Sequence, residues 1–217
     1  MHGVRNTWVA LASALAALAL AGAAAAAAKS GGVGPDDSDD RGGDSGGATC
    51  RTIPFGERTL ERGDCGSDVE TLNWLLRSRE YGVALDPSFE AATHESVRDF
   101  QDRRGFARTG VVDTETRRKL VDAMGRQTAS WYGPGFFGNR TACGQTFRRD
   151  TKGVAHRTLP CGTKLVIAYK GRFARTRVID RGPFVKRRYE RDWDLSQALA
   201  SKLHFEGVDR IRTAPIR

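Results

Sequence analysis

The 217-residue sequence is poor in sulfur, with four cysteines and two methionines. No Cys-x-x-Cys pair occurs, and the spacings of Cys50, Cys65, Cys143 and Cys161 match no common zinc pattern, so no metal centre is expected. No Lys-Ser/Thr follows Gly133-Pro134-Gly135, which excludes a phosphate-binding loop of the nucleotide-binding kind. Nothing in the sequence calls for a cofactor. Acidic residues are absent from Met1–Ser30 and scarce in the last ninety positions, where residues 128–217 hold 7 acidic against 19 basic. The net charge of +9 is therefore concentrated at the C-terminal end, and the expected partner is a polyanion.

The N-terminus chooses between polyanions. After His2 and Arg5 the chain is apolar from Trp8 to Ala28, rich in Leu and Ala. The run approaches the ~20 residues that span a bilayer. It ends in small alanines rather than in bulky residues and a basic stop, so residues 1–28 read as a cleaved signal peptide. A secreted or wall-associated protein makes nucleic acid a poor partner and an anionic cell-wall polymer a good one. Residues 29–49 are Gly, Ser and Asp with little apolar content, the composition of a flexible linker. In an exported chain an even number of cysteines implies disulfides. Each pair falls within one segment, which predicts Cys50–Cys65 and Cys143–Cys161. Nothing indicates an oligomer, and a monomer is expected.

Residues 50–124 read as a small helical domain. Val69, Leu72, Leu75 and Leu76 recur at helical spacing behind Ser67 or Asp68 as a cap. Thr93 opens a second helix with Val97 and Phe100 on one face, and Thr114 caps a third. The residues Leu60, Gly63, Gly66, Val69 and Leu72, then Thr93, Val97, Phe100 and Gln101, then Gly110, Val111 and Thr114 resemble the type 1 peptidoglycan-binding domain family. Asn73 stands where that family usually has Gln, a change expected to affect a helix surface.

Residues 125–129 read as a short joint, and β character follows in a domain spanning 128–217. Leu165–Tyr169 is a continuous apolar run, and Arg175–Asp180 alternates before Arg181-Gly182-Pro183. Asp194 reads as the cap of a helix carrying Leu195, Ala198, Leu199 and Leu203. Three stretches here resemble the rare lipoprotein A family. They are Ala129-Ser130-Trp131-Tyr132-Gly133, Ala155-His156-Arg157-Thr158-Leu159-Pro160, and Asp180-Arg181-Gly182-Pro183-Phe184 followed by Asp194-Leu195-Ser196. The resemblance implies a six-stranded double-psi β-barrel. It also implies a lytic transglycosylase that cuts the MurNAc–GlcNAc bond of peptidoglycan glycan strands without water and leaves a 1,6-anhydro end. The alternative is a non-catalytic, expansin-like wall-binding protein.

Cutting a glycosidic bond requires an acid on the leaving oxygen and stabilisation of an oxocarbenium-like centre. Asp180 is the first candidate, because it ends a strand and enters a turn, where a rigid element presents a side chain to a groove. An Asp at such a position also caps turns by accepting the next backbone amides. His156 is the second candidate, as a proton shuttle or an orienting group. Trp131 and Tyr132 are candidates for stacking on sugar rings. Arg181 is a candidate for gripping a sugar carboxylate or tuning Asp180. The basic run Lys186-Arg187-Arg188 reads as a solvated face. Gln145 occupies a position where the resembled family commonly has a catalytic Glu; Gln forms hydrogen bonds but does not titrate. That substitution leaves Asp180 as the single acid of the expected mechanism.

Overall fold

The structure is a computed structural model, and it describes residues 50–184 and 190–216. The expected signal peptide, the expected linker and the Lys186-Arg187-Arg188 run all lie outside the described residues. Three helices come first: α1 (Ser67–Arg77), α2 (Ala91–Arg103) and α3 (Thr114–Asp122). Six strands and one helix follow: β1 (Gly125–Tyr132), β2 (Val154–His156), β3 (Lys164–Tyr169), β4 (Arg172–Asp180), β5 (Trp193–Ser196), α4 (Gln197–Leu203) and β6 (Asp209–Pro215). The strands close into a barrel in the order β1-β5-β2-β4-β3-β6.

In the helical domain, Val69, Leu72, Leu75 and Leu76 bury fully against Val97, Phe100 and Leu120. The caps differ from expectation. Asp113, not Thr114, caps α3 and accepts from the Thr116 amide at 2.7 Å. Gly66 precedes α1 with no side-chain cap bond, and the Asp68 carboxylate is used elsewhere. It is fully buried and meets the Arg58 guanidinium at 2.7 Å. Asn73 is not on a surface either. It is fully buried, its amide donates to the Asp86 and Ser88 carbonyls, and its oxygen accepts from Thr93. A polar side chain is stable there because each of these groups is satisfied. Gln101 acts likewise as a hub, donating to Thr109, Thr116 and the Val111 carbonyl and accepting from the Gly110 amide.

Removing the Arg58 partner leaves the Asp68 charge buried. Breaking such a pair costs roughly 3–5 kcal/mol when both partners are buried. Arg58 is about one-third exposed, so solvent already screens part of this. Arg58→Ala is expected to destabilise the protein by about 2 kcal/mol, read as a lower midpoint in urea at unchanged slope.

Residues 125–129 are not a joint but the first part of β1. Gly125–Ala129 pairs antiparallel with Thr213–Asp209 of β6. The apolar run of β3 has two buried faces. Leu165, Ile167 and Tyr169 fill the barrel, whereas Val166 and Ala168 belong to the core of the helical domain, together with Ala214 and the partly buried Phe173. Polar ties reinforce this contact. Arg175 meets Glu70 at 2.6 Å and donates to the Ser67 carbonyl, and Arg212 meets Asp122 at 2.8 Å. The barrel and the helical domain therefore share one apolar core.

Candidate active site

Three strands line up the principal groups. β1 and β5 run parallel with Ser130 beside Asp194. β2 lies antiparallel to β5 with Ala155 against Asp194. On its other edge β2 pairs with β4, and a register shift between Val154 and Ala155 sets Ala155 against Asp180. Such an irregularity re-aims a side chain at a functional edge. Asp194 and Asp180 thus flank the same residue, and with neighbouring strands about 4.8 Å apart their backbones stand about 10 Å apart. Gly153 keeps this region tight. A Cβ there would lie 2.7 Å from Ile179 Cγ2, so only glycine lets β2 approach the residue that precedes Asp180.

The two aspartates differ in setting. Asp194 accepts a hydrogen bond from the buried Ser130 hydroxyl. Burial raises its pKa above the ordinary carboxyl value, and the Ser130 hydrogen bond and the Arg191 charge only partly offset that. Asp194 therefore favours the protonated form more than a free aspartate does. Asp180 Oδ1 accepts from the amides of Ala142 and Arg181, each at 2.8 Å. One oxygen thus caps the turn, as Asp at such a position does, and Oδ2 has no hydrogen bond among the described residues.

Tyr132 lies two residues beyond Ser130 on the same face of β1. Its ring stacks on Phe147 with centroids 4.7 Å apart. Its hydroxyl is buried without a hydrogen-bond partner among the described residues. Burial, and then the charges of Asp180 and Asp194, raise its pKa, so the hydroxyl stays protonated. The segment after β1 folds back over this face. Thr141 donates to the Gln145 carbonyl, and a disulfide joins Cys143 to Cys161. That bond holds the tip of the segment beside Ala142, whose amide fixes Asp180. The second disulfide joins Cys50 to Cys65, and no free cysteine occurs among the described residues.

The remaining candidates take other places. His156 Nδ1 accepts from the amides of Leu159 at 3.0 Å and Thr158 at 3.2 Å, which leaves the ring proton on Nε2. Burial and the Arg157 and Arg181 charges lower its pKa against an opposing pull from Asp192, so the ring is neutral at neutral pH. It rests on Trp193 at 4.3 Å and makes no hydrogen bond to Asp180. Arg181 donates to the Leu159 carbonyl at 2.9 Å, which braces the loop after β2. Gln145 lines a basic hollow of about 430 Å³ with Arg148, Lys152 and Arg177. Trp131 and Tyr132 cannot form one platform, since successive strand residues point to opposite faces. Trp131 instead lines a separate hollow with Gln197, His204 and Phe205.

Asp194 does not cap a helix as expected. It lies within β5, and the residue before α4 is Ser196. The Ser196 hydroxyl accepts from the Gly153 amide instead of capping the helix. The recurrence of Leu195, Ala198 and Leu199 suggested a helix starting earlier; the Asp-Leu-Ser triplet of the third motif was the better guide.

Residues 125–217 match a family model described as lytic transglycolase, and residues 65–120 match a peptidoglycan binding domain model. An endolytic peptidoglycan transglycosylase RlpA from Campylobacter jejuni is 37% identical over 121 residues, covering 52% of this chain and 41% of that protein. A probable endolytic peptidoglycan transglycosylase RlpA from Synechocystis is 42% identical over 85 residues, 38% of this chain and 26% of that protein. One from Aquifex aeolicus, with the same description, is 45% identical over 80 residues, 36% of this chain and 34% of that protein. The chain spans between a quarter and two-fifths of the length of these relatives. The chain joins a peptidoglycan-binding domain to a double-psi β-barrel of the rare lipoprotein A kind.

Proposed function

We propose that this protein is an exported lytic transglycosylase that cuts MurNAc–GlcNAc bonds in peptidoglycan and leaves 1,6-anhydro-MurNAc ends. The observation that carries the reading is the pair of aspartates on either side of Ala155, whose charges both act on the buried, unpartnered Tyr132 hydroxyl. Asp194, biased toward its protonated form, donates its proton to the leaving oxygen as the C1–O bond breaks. The C6 hydroxyl of the same MurNAc then bonds to C1 and releases its proton to a carboxylate, so no water is consumed. Asp180, fixed through Oδ1, offers Oδ2 as negative charge near the oxocarbenium-like centre. The mechanism uses two carboxylates without requiring one at Gln145. The basic surface of the barrel and the apolar N-terminal run support action in the wall outside the cytoplasm.

Incubation of purified, peptide-stripped glycan strands followed by mass spectrometry tests the reading. Anhydro-ended fragments are expected; intact strands at every pH from acid to neutral would contradict it. Tyr132→Phe gives a second check. It removes a hydroxyl that satisfies nothing in the resting protein, so stability is expected to stay within about 1 kcal/mol of wild type. If that hydroxyl donates to the sugar during reaction, turnover falls about 10- to 100-fold. Unchanged turnover would assign Tyr132 to packing alone. The alternative, a wall-binding protein that does not cut, is favoured by one observation: Gln145 cannot titrate. In that case strands are bound and remain intact.

A further inference from the structure

A sizeable cavity lies away from the aspartates. It is a cleft of about 810 Å³ between the helical domain and the barrel, within the usual range for ligand sites. Its floor is apolar. Phe55 and Phe173 meet there edge to face with centroids 5.0 Å apart, beside Ile53, Pro54 and Val121. Its rim is basic. Arg117, Arg172 and Lys202 line it with no carboxylate within ion-pairing distance among the described residues. Arg118 and Arg175 also line it but are already paired, with Glu115 and Asp122 and with Glu70 respectively, and the acidic residues of the lining are Glu57 and Asp122. Asp122 is already engaged by Arg212. Burial first, and then the charges of Lys152 and Arg175, hold the Lys202 ammonium below its ordinary value against an opposing pull from Glu70.

We infer that this cleft binds a short acidic peptide, its carboxylates on Arg117, Arg172 and Lys202 and its small apolar side chains on Phe55 and Phe173. A polyphosphate would satisfy the rim and waste the floor, and a neutral sugar would leave the cations unpaired. An acidic peptide complements both. In the setting of the proposed function this is the stem peptide of peptidoglycan. The identity of the peptide rests on that reading; the existence of the site does not. Because the two domains share one core, a peptide-bearing strand held in the cleft sits at a fixed offset from the aspartates. The chain can then grip one strand while it cuts a bare one.

The test is fluorescence anisotropy of the whole exported protein with a labelled stem tetrapeptide, beside cleavage of peptide-free strands. Saturable binding is expected. Arg172→Glu and Arg117→Glu, both on the rim and remote from the aspartates, should each weaken it about tenfold or more and leave cleavage of bare strands unchanged. Absence of saturable peptide binding, or equal affinity in both variants, overturns the inference without touching the transglycosylase reading. Peptide binding that depends on the two arginines in a protein that leaves bare strands intact upholds the cleft and sinks the cutting. Equal or tighter competition by polyphosphate shows a general anion site and also overturns it. So does peptide binding that appears only when Asp36, Asp37, Asp39 and Asp40 are changed to Asn, because the occupant is then the chain's own acidic segment.

Discussion

Asp194→Asn is expected to lower the formation of anhydro-ended product by about 1,000-fold, the loss typical of a missing general acid. The substitution keeps the shape of the side chain and an oxygen that can accept from the Ser130 hydroxyl, so the fold should survive. The pH dependence gives the sign. Burial raises the folded pKa of Asp194, so the acid form is present below that value and is lost as pH rises through it. Wild-type turnover should therefore fall on the alkaline side of that pKa, and the variant's residual turnover should lack this limb. Stability follows the same linkage. The folded protein holds this proton more tightly than the unfolded chain, so the favourable contribution is complete below the unfolded value of about 3.9 and disappears as pH rises through the folded pKa. Asp194→Asn removes that dependence, and its stability relative to wild type should improve across this window. Full activity in the variant would remove Asp194 from the mechanism.

Asp180→Ala is expected to cost as much, about 1,000-fold, for a different reason. It removes the charge and also the acceptor of the Ala142 and Arg181 amides, and so frees the segment that Cys143 and Cys161 tether. Loss of those two hydrogen bonds should destabilise the protein by about 1–2 kcal/mol, because water reaches the exposed Ala142 amide in their place. Asp180→Asn separates the two effects. Its amide oxygen still accepts from both backbone groups, so stability should return to near wild type while turnover stays low. Recovery of turnover in Asp180→Asn would show that position matters and charge does not.

Local pattern carried far in this chain, and it stopped where partners are distant. The barrel was legible through three short motifs, and the position of Asp180 at a strand end through the change from strand to turn at Arg181-Gly182-Pro183. The place of Asp194 within a strand was not legible. Its hydrogen bond comes from Ser130 of β1, 64 residues away, and no periodicity reports such a neighbour. Gly125–Ala129 looked like a joint because Gly, Arg and Gln are weak strand signals and one Thr does not offset them; β6, 80 or more residues later, makes them a strand. Asn73 looked like surface because its partners at Asp86, Ser88 and Thr93 lie outside its own helix. The shared core did leave one trace. A strand apolar at every position from Leu165 to Tyr169 is buried on both faces, and the second face proved to belong to the helical domain.

That shared core bears on any test of the helical domain by deletion. Deleting residues 50–124 would expose Val166, Ala168, Phe173 and Ala214 together, an apolar patch that invites aggregation. Rim substitutions in the cleft leave this core in place.

The measurement closest to the central claim is cleavage of peptide-free glycan strands in water enriched in oxygen-18, with products weighed by mass spectrometry. The two-aspartate mechanism predicts fragments ending in 1,6-anhydro-MurNAc, with no heavy oxygen at the cut, formed by wild type and nearly absent with Asp194→Asn. Fragments carrying heavy oxygen at the new end would make the protein a hydrolase, and strands left whole by the wild type would make it a binder; either result would contradict the account.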